Sequence, residues 1–210
     1  MPPVPLLSAC YFGSVEHYAL LARHPRVVID TGEHYVRQSY RTRTGIVGPN
    51  GPQDLSLQVE HGQGRKLPMR EVRLSTAETW PQQHLHALRS AYGKAPWCIH
   101  YIEDIEAVLL AGYERLVDLD LATMRSGLKW LGLRTELVIS DTYCEVADPP
   151  LDRTDLRTTL HPKKPLPPQV PAIGPYPQTF ADRHGFMPRR SIIDLVMNTG
   201  PEALKFLVQP

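Results

Sequence analysis

Nowhere do the 210 residues run to the roughly 18 consecutive apolar positions of a membrane-crossing helix. The N-terminus, MPPVPLLSACYFG, has neither the basic n-region nor the apolar length of a secretory signal. Membrane insertion is not expected, and a cytoplasmic location is. Cysteine is scarce: Cys10, Cys98 and Cys144 are odd in number, far apart and outside any CxxC pattern. That argues against a disulfide framework or a structural zinc site and fits a reducing compartment. An excess of one charge is missing too, with 23 Lys and Arg against 22 Asp and Glu for a net +1. No global field then favours nucleic acid or an anionic bilayer, and any anion affinity has to be local. There is no internal repeat and no metal-ligand spacing, and no cofactor is named by any motif.

Proline, by contrast, is abundant: 21 residues in 210, about twice the average usage of ~5%. The excess concentrates between 148 and 178, including HPKKPLPPQVPAIGPYPQ. Such a stretch cannot be a central strand or a long helix and reads as an extended crossover wrapping the surface. Apolar residues at 42% and charged residues at 21% are ordinary globular values, and the length suits a single domain over 1–210.

Taken in order, the run Leu6 to Tyr11 reads as a buried first strand ended by Gly13. Ser14 stands where a helix N-cap belongs, with Glu16 in the first turn, and the helix should end before Pro25. Arg26 to Asp30 makes a second strand and completes a βαβ opening, normally parallel and right-handed. Gly-Pro-Asn-Gly at 48–51 separates two alternating runs and predicts a hairpin arm with Leu55, Leu57 and Val59 on one face. HGQGRK reads as a loop and REVRLS as a further strand. Helices are expected over WPQQHLHALRSAYG and from Trp97 to about Leu131 with a break near Gly112, and TELVIS as a last strand. SIIDLVMNTGPEALKFLV supplies one or two docking helices interrupted at Gly200-Pro201. The expected class is α/β: one domain with a βαβ start and mixed sheet, a β-hairpin arm, a helical second half and a C-terminal helical tail.

Chemistry-bearing residues concentrate after the second strand, in DTGEHYVRQSYRTR. An open α/β sheet presents ligand sites at the carboxyl ends of its strands, which makes this the first candidate region. Read as extended chain, it puts Arg37, Arg41 and Arg43 on one face, beside Tyr40, where guanidinium forks can grip phosphate or carboxylate. The bland alternative is a solvated basic strand. Asp30, Glu33 and His34 can form an acid/base set, or a strand-end cap and turn. Cys10 is either a nucleophile near a helix N-terminus or a buried thiol. Tyr11 and His17 are placed to line the pocket. In AYGKAPW, Tyr92 and Lys94 follow a helix end, where Lys94 either neutralises an anionic group or serves the helix dipole.

The run YFGSVEHYALLARHPRVVIDTGEHYVRQSYRTRTGIVGPNGPQDLSLQV, with AYGKAPW and HGFMPRRSIIDLVMNTGPEAL downstream, resembles the WbqC-like family of bacterial proteins. Where that family tends to carry a proline after Tyr-Phe and an aromatic pair on the helix, this chain has Gly13-Ser14 and His17-Tyr18. The resemblance implies a role in surface-polysaccharide (O-antigen) metabolism, as an aminoacyl, specifically glycyl, transferase acting on an amino sugar. The expected partner is then an anionic or nucleotide-linked small molecule, possible homodimer formation stays open, and nucleic acid is disfavoured. Two alternatives come from other classes. One is a metabolite-binding protein without turnover; the other is an assembly factor that docks a partner through the proline-rich crossover and the aromatics Trp97 and Tyr176.

Overall fold

The computed structural model describes residues 3–60, 66–77, 79–145 and 153–208. The expected loop HGQGRK falls largely on 61–65, outside them. Strands β1 (Val4–Leu7), β2 (Arg26–Asp30), β5 (Glu136–Ser140) and β6 (Arg153–Asp155) form one sheet in the order β5-β2-β1-β6, every pair parallel. The hairpin β3 (Arg43–Gly48) and β4 (Gly51–Ser56) is antiparallel and makes a sheet of its own. Parallel and antiparallel pairing are thus segregated within one α/β domain. Since all four parallel strands point the same way, their carboxyl ends share one edge.

The βαβ opening forms from β1, α1 (Val15–Ala22) and β2. The first strand is shorter than its apolar run: after Leu7 the chain turns, Phe12 takes a left-handed φ of 41°, and the Tyr11 amide donates to the Tyr40 carbonyl at 2.9 Å. The segment 9–12 stays buried because it passes beneath the Arg41 loop, not because it is strand. REVRLS is the plainest departure from expectation. Pro68 opens a single 3-10 turn at Met69–Glu71, and the rest makes only isolated bridges, Val59 with Leu74 and Arg73 with Arg115. Its apolar alternation survives, Val72 and Leu74 buried and Arg73 exposed, without a neighbouring strand long enough to pair.

Helices α2 (Trp80–Tyr92), α3 (Cys98–Leu109) and α4 (Leu116–Leu131) make the helical half; α5 (Ala181–His184), α6 (Ile192–Thr199) and α7 (Ala203–Val208) make the tail. One apolar core joins the parallel sheet to α1, α4, α6 and α7, and another joins the hairpin to α2 and α3. Tyr101 and Trp130 pack against both, which ties them into one body. Among the described residues no helix is long and apolar enough to cross a membrane.

The proline-rich crossover is less superficial than its composition implies. It supplies β6, an edge strand, and then buries Leu156, Arg157, Leu160 and Tyr176. Tyr176 is an interior residue, its hydroxyl donating to Asp194 Oδ2 at 2.7 Å beside Gln178 Nε2 at 2.7 Å, while Tyr92 donates to Asp194 Oδ1 at 2.6 Å. One buried carboxyl on α6 thereby anchors the crossover, α2 and the tail together, and of the two aromatics offered for polyproline docking Tyr176 is interior while Trp97 is half-buried.

Candidate functional site

At the carboxyl edge of the parallel sheet, Asp30 ends β2 with both oxygens taken. Oδ1 accepts the Gly32 and Glu33 amides at 2.9 and 3.0 Å; Oδ2 accepts the Cys144 amide at 3.0 Å and Arg157 Nη1. This is a strand-end turn clamp. Gly32 is required within it, because a Cβ there would lie 2.2 Å from the Tyr143 backbone nitrogen. Arg157 also grips Asp155 through Nε at 3.0 Å and Nη2 at 2.7 Å, and its guanidinium lies 4.6 Å from the Tyr143 ring centre. Asp155 hydrogen bonds to Arg157 pull its carboxyl below the usual range although burial pushes the other way.

Glu33 and Arg41 form the second buried pair, Nε to Oε1 at 2.9 Å and Nη2 to Oε2 at 2.7 Å, a bidentate fork. Arg41 further donates to Ser39 Oγ at 3.1 Å, Ser8 Oγ and the Arg157 carbonyl. The segment 37–42 is a series of turns, not extended chain, so the three arginines do not share a face. Arg41 turns inward and is 3% exposed, whereas Arg37 is exposed and Arg43 is partly so.

Behind this network sits a cavity of about 10 Å³ lined by Cys10, His17, Tyr40, Arg41 and Arg157 among others, room for about one water. His17 Nδ1 accepts the Ser14 amide at 3.2 Å, which places the proton of the neutral ring on Nε2. Burial, helped by Arg189 and Arg41, lowers the His17 pKa to about 3. Burial, then Asp120, pushes the Cys10 thiol far up, so it is no thiolate nucleophile at neutral pH. Tyr11 donates to or accepts from His84 Nδ1 at 2.8 Å in the second core, and burial brings His84 down to about 4. Tyr92 is spent on Asp194, and Lys94 lies exposed beyond α2, away from the arginines' cleft.

That cleft is open, about 520 Å³, and lies between the hairpin and the loop carrying Tyr35. Its wall includes Tyr35, Arg37, Arg43 and Lys66, with Gln58 and Leu67, and among the described residues its acid is Glu60. Two depressions of similar volume carry no such excess: near Trp80, Arg73 stands against Glu60 and Glu114, and near Arg70, that residue and Arg115 meet Asp118 and Asp141. Among the described residues the cleft's wall carries an excess of cations, with Arg37 and Lys66 against Glu60 and Arg43 shared with Asp54 outside the wall. Arg43 Nη1 reaches Asp54 at 3.2 Å, while its buried Nε has no partner. His34 is exposed beside Tyr35 on the same loop, pinned by its backbone to Pro68.

Two buried groups escaped the sequence reading. Arg157 sits in a proline-rich tract, and its only signal was DLR between leucines. Asp120 had a clearer one: it lies four residues from Leu116 and from Met124, on the apolar stripe of α4. Both its carboxyl oxygens are buried with no hydrogen-bond partner, and burial raises its pKa well above the usual range against the pull of Arg41.

An α/β protein with a parallel sheet, a separate hairpin and a basic cleft between that hairpin and the loop carrying Tyr35 is thus defined. Residues 9–158 match the WbqC-like protein family, and the chain belongs to it. No curated protein and no solved structure matches the chain. Among the described residues, no group of three or more His, Cys, Asp and Glu is placed to hold a metal ion.

Proposed function

We propose that the chain is a transferase of bacterial cell-surface polysaccharide metabolism that passes an acyl or aminoacyl group to an amino sugar, with an anionic or nucleotide-linked substrate in the basic cleft. Family membership supports the biological setting. The observation that carries the binding half is the excess of positive charge in the cleft: Arg37 and Lys66, with Arg43 that Asp54 partly neutralises, against Glu60 among the described residues of its wall, in a chain whose net charge is only +1. Its volume of about 520 Å³ suits a small-molecule ligand. In acyl transfer the amine lone pair attacks the donor's carbonyl carbon, the C–N bond forms as the donor ester's C–O bond breaks, and the amine proton goes to a base. Glu60 on the cleft wall takes that role, with exposed His34 on the adjoining loop as the other candidate.

The test is calorimetric titration with nucleotides, sugar nucleotides and aminoacyl analogues, repeated on the double variant Arg37→Ala/Lys66→Ala. A ligand that loses about tenfold or more in affinity in the variant supports the reading, since a charge-assisted contact contributes about 1.5–3 kcal/mol. Undiminished binding in the double variant would sink it. Glu60→Gln should bind normally and lose turnover.

A second reading, a metabolite-binding protein without turnover, is favoured by one specific observation. Asp30, Glu33, His17 and Cys10 are all buried, and the two acids are fully engaged. That reading predicts tight binding with no product formed.

A further inference from the structure

A second cavity of about 260 Å³ adjoins the cleft and shares Arg43 with it. Around it stand Tyr40, Arg43, Lys163, Arg189 and Arg190, with Asp54 as the acid on its wall. The buried carboxyl of Glu16 also faces this group, close enough for Arg189 and Arg190 to lower a pKa that burial raises. Among the described residues, four cations against two acids leave an excess of positive charge here too.

The cavity is built rather than incidental. Arg189 holds a left-handed φ of 61°, which costs an L residue roughly 1 kcal/mol or more. Its side chain is fixed there by two backbone carbonyls, Nη1 to Lys164 at 2.7 Å and Nη2 to His161 at 2.7 Å. Arg190 Nε donates to the Pro188 carbonyl at 2.9 Å, and its Nη1 passes so near Gly45 that a Cβ there would lie 3.2 Å away. Lys163 Nζ reaches Gln38 Oε1 at 2.7 Å, a bridge between the two cavities, since Gln38 lines the cleft. The buried Nε atoms of Arg43 and Arg189 have no partner.

The family match ends at residue 158, so the matched portion contributes Arg43 while Lys163, Arg189 and Arg190 come from the chain beyond it. We propose that this cavity is an oxyanion subsite for the second phosphoryl group of a diphosphate-linked substrate, bridged to the cleft by Arg43; this rests on the reading of the cleft as a nucleotide-linked substrate's site. The first phosphoryl then lies toward Arg37 and Lys66, the second toward Lys163 and Arg190.

The experiment compares nucleoside mono- and diphosphates of the four common bases, and inorganic pyrophosphate, by titration calorimetry on the full chain. In the wild type the preferred nucleoside's diphosphate binds about tenfold or more tighter than its monophosphate. Arg190→Ala and, separately, Lys163→Ala bring that ratio toward one and leave monophosphate affinity within about twofold, with melting temperatures unchanged. Arg37→Ala weakens both ligands. Equal binding of mono- and diphosphate, sensitive to Arg37→Ala, overturns the subsite and leaves the cleft reading standing. Pyrophosphate binding that Arg190→Ala abolishes, with no nucleotide bound, supports the subsite while removing the nucleotide reading. Binding of neither nucleotide nor pyrophosphate overturns both.

Discussion

Arg41 and Arg43 are two residues apart, yet they belong to opposite kinds of site. Arg41 closes a buried network in which Glu33, Ser39, Ser8 and the Arg157 carbonyl occupy its donors, and Asp30 with Arg157 repeats the arrangement alongside. Arg43 stands at the junction of two open cavities with a buried Nε left over. The closed network spends its charge internally and shapes the loop; the open one keeps charge available to a ligand. A satisfied buried pair specifies structure without promising net stability, because desolvation offsets much of its Coulomb gain. An unbalanced cleft has the reverse character: it does little for folding and waits for a counter-charge.

The sharpest way to break that contrast is to remove one member of a buried pair. Arg157→Ala leaves Asp30 with three backbone amides and no cation, and Arg41→Ala strands Glu33. Each should cost about 3–5 kcal/mol, the penalty for an uncompensated buried charge. For a chain of this length that is a fall in Tm of roughly 10 °C. Removing both charges of a pair together, as in Asp30→Asn with Arg157→Met, should cost less than the two single changes added. Urea unfolding checks this. A Tm for Arg157→Ala within a degree or two of wild type would make the network dispensable and the contrast false.

Acidification probes the buried interior, the network through His17 and the second core through His84, with a smaller effect. His17 and His84 are held neutral by burial, with pKa values lowered to about 3 and about 4. In the unfolded chain both protonate below about pH 6.5. The unfolded state then binds more protons, so the stability from neutral histidines is full above about pH 6.5 and falls as the pH drops toward the folded-state values. At pH 5 each contributes a loss of about 2 kcal/mol relative to pH 7.5. The wild type should therefore lose stability between these two pH values, and His17→Gln should lose about 2 kcal/mol less. Parallel losses in wild type and variant would remove His17 from the account.

How far the sequence carried the reading depends on where periodicity ruled. The βαβ opening, the hairpin turn at Gly48-Pro49-Asn50-Gly51 and the stop at Gly93 rest on local rules, and β2 spans Arg26–Asp30 as its pattern implied. REVRLS failed because alternation shows which side chains are buried, not whether a partner strand lies beside them. The site was legible as a region but not as a geometry. DTGEHYVRQSYRTR holds Arg37, Arg41 and Arg43, but turns at 37–42 send one inward and two outward, and no alternation rule detects that. Arg157 comes back to Asp30 across 127 positions, held by Asp155 at the end of β6, a contact that β6 pairing with β1 creates. Lys66, Glu60 and Lys163 join the arginines by the same long-range folding.

The smallest expected stability effect falls on the open side and completes the comparison. Arg37 is exposed, lines the cleft and carries none of the buried network's hydrogen bonds. Arg37→Ala should therefore change unfolding free energy by no more than about 0.5 kcal/mol, as for a surface substitution away from structural features. The same variant should weaken the cleft's anionic ligand by about tenfold, and the weakening should shrink as salt is raised, since an exposed guanidinium is screened. Arg41→Ala is the matched control: it should lose ligand affinity only along with stability, whereas Arg37→Ala loses affinity alone. If Arg37→Ala instead lowered the Tm by as much as Arg41→Ala, the two arginines would belong to one structural unit, and the division between a closed network and an open, ligand-seeking cleft would fall.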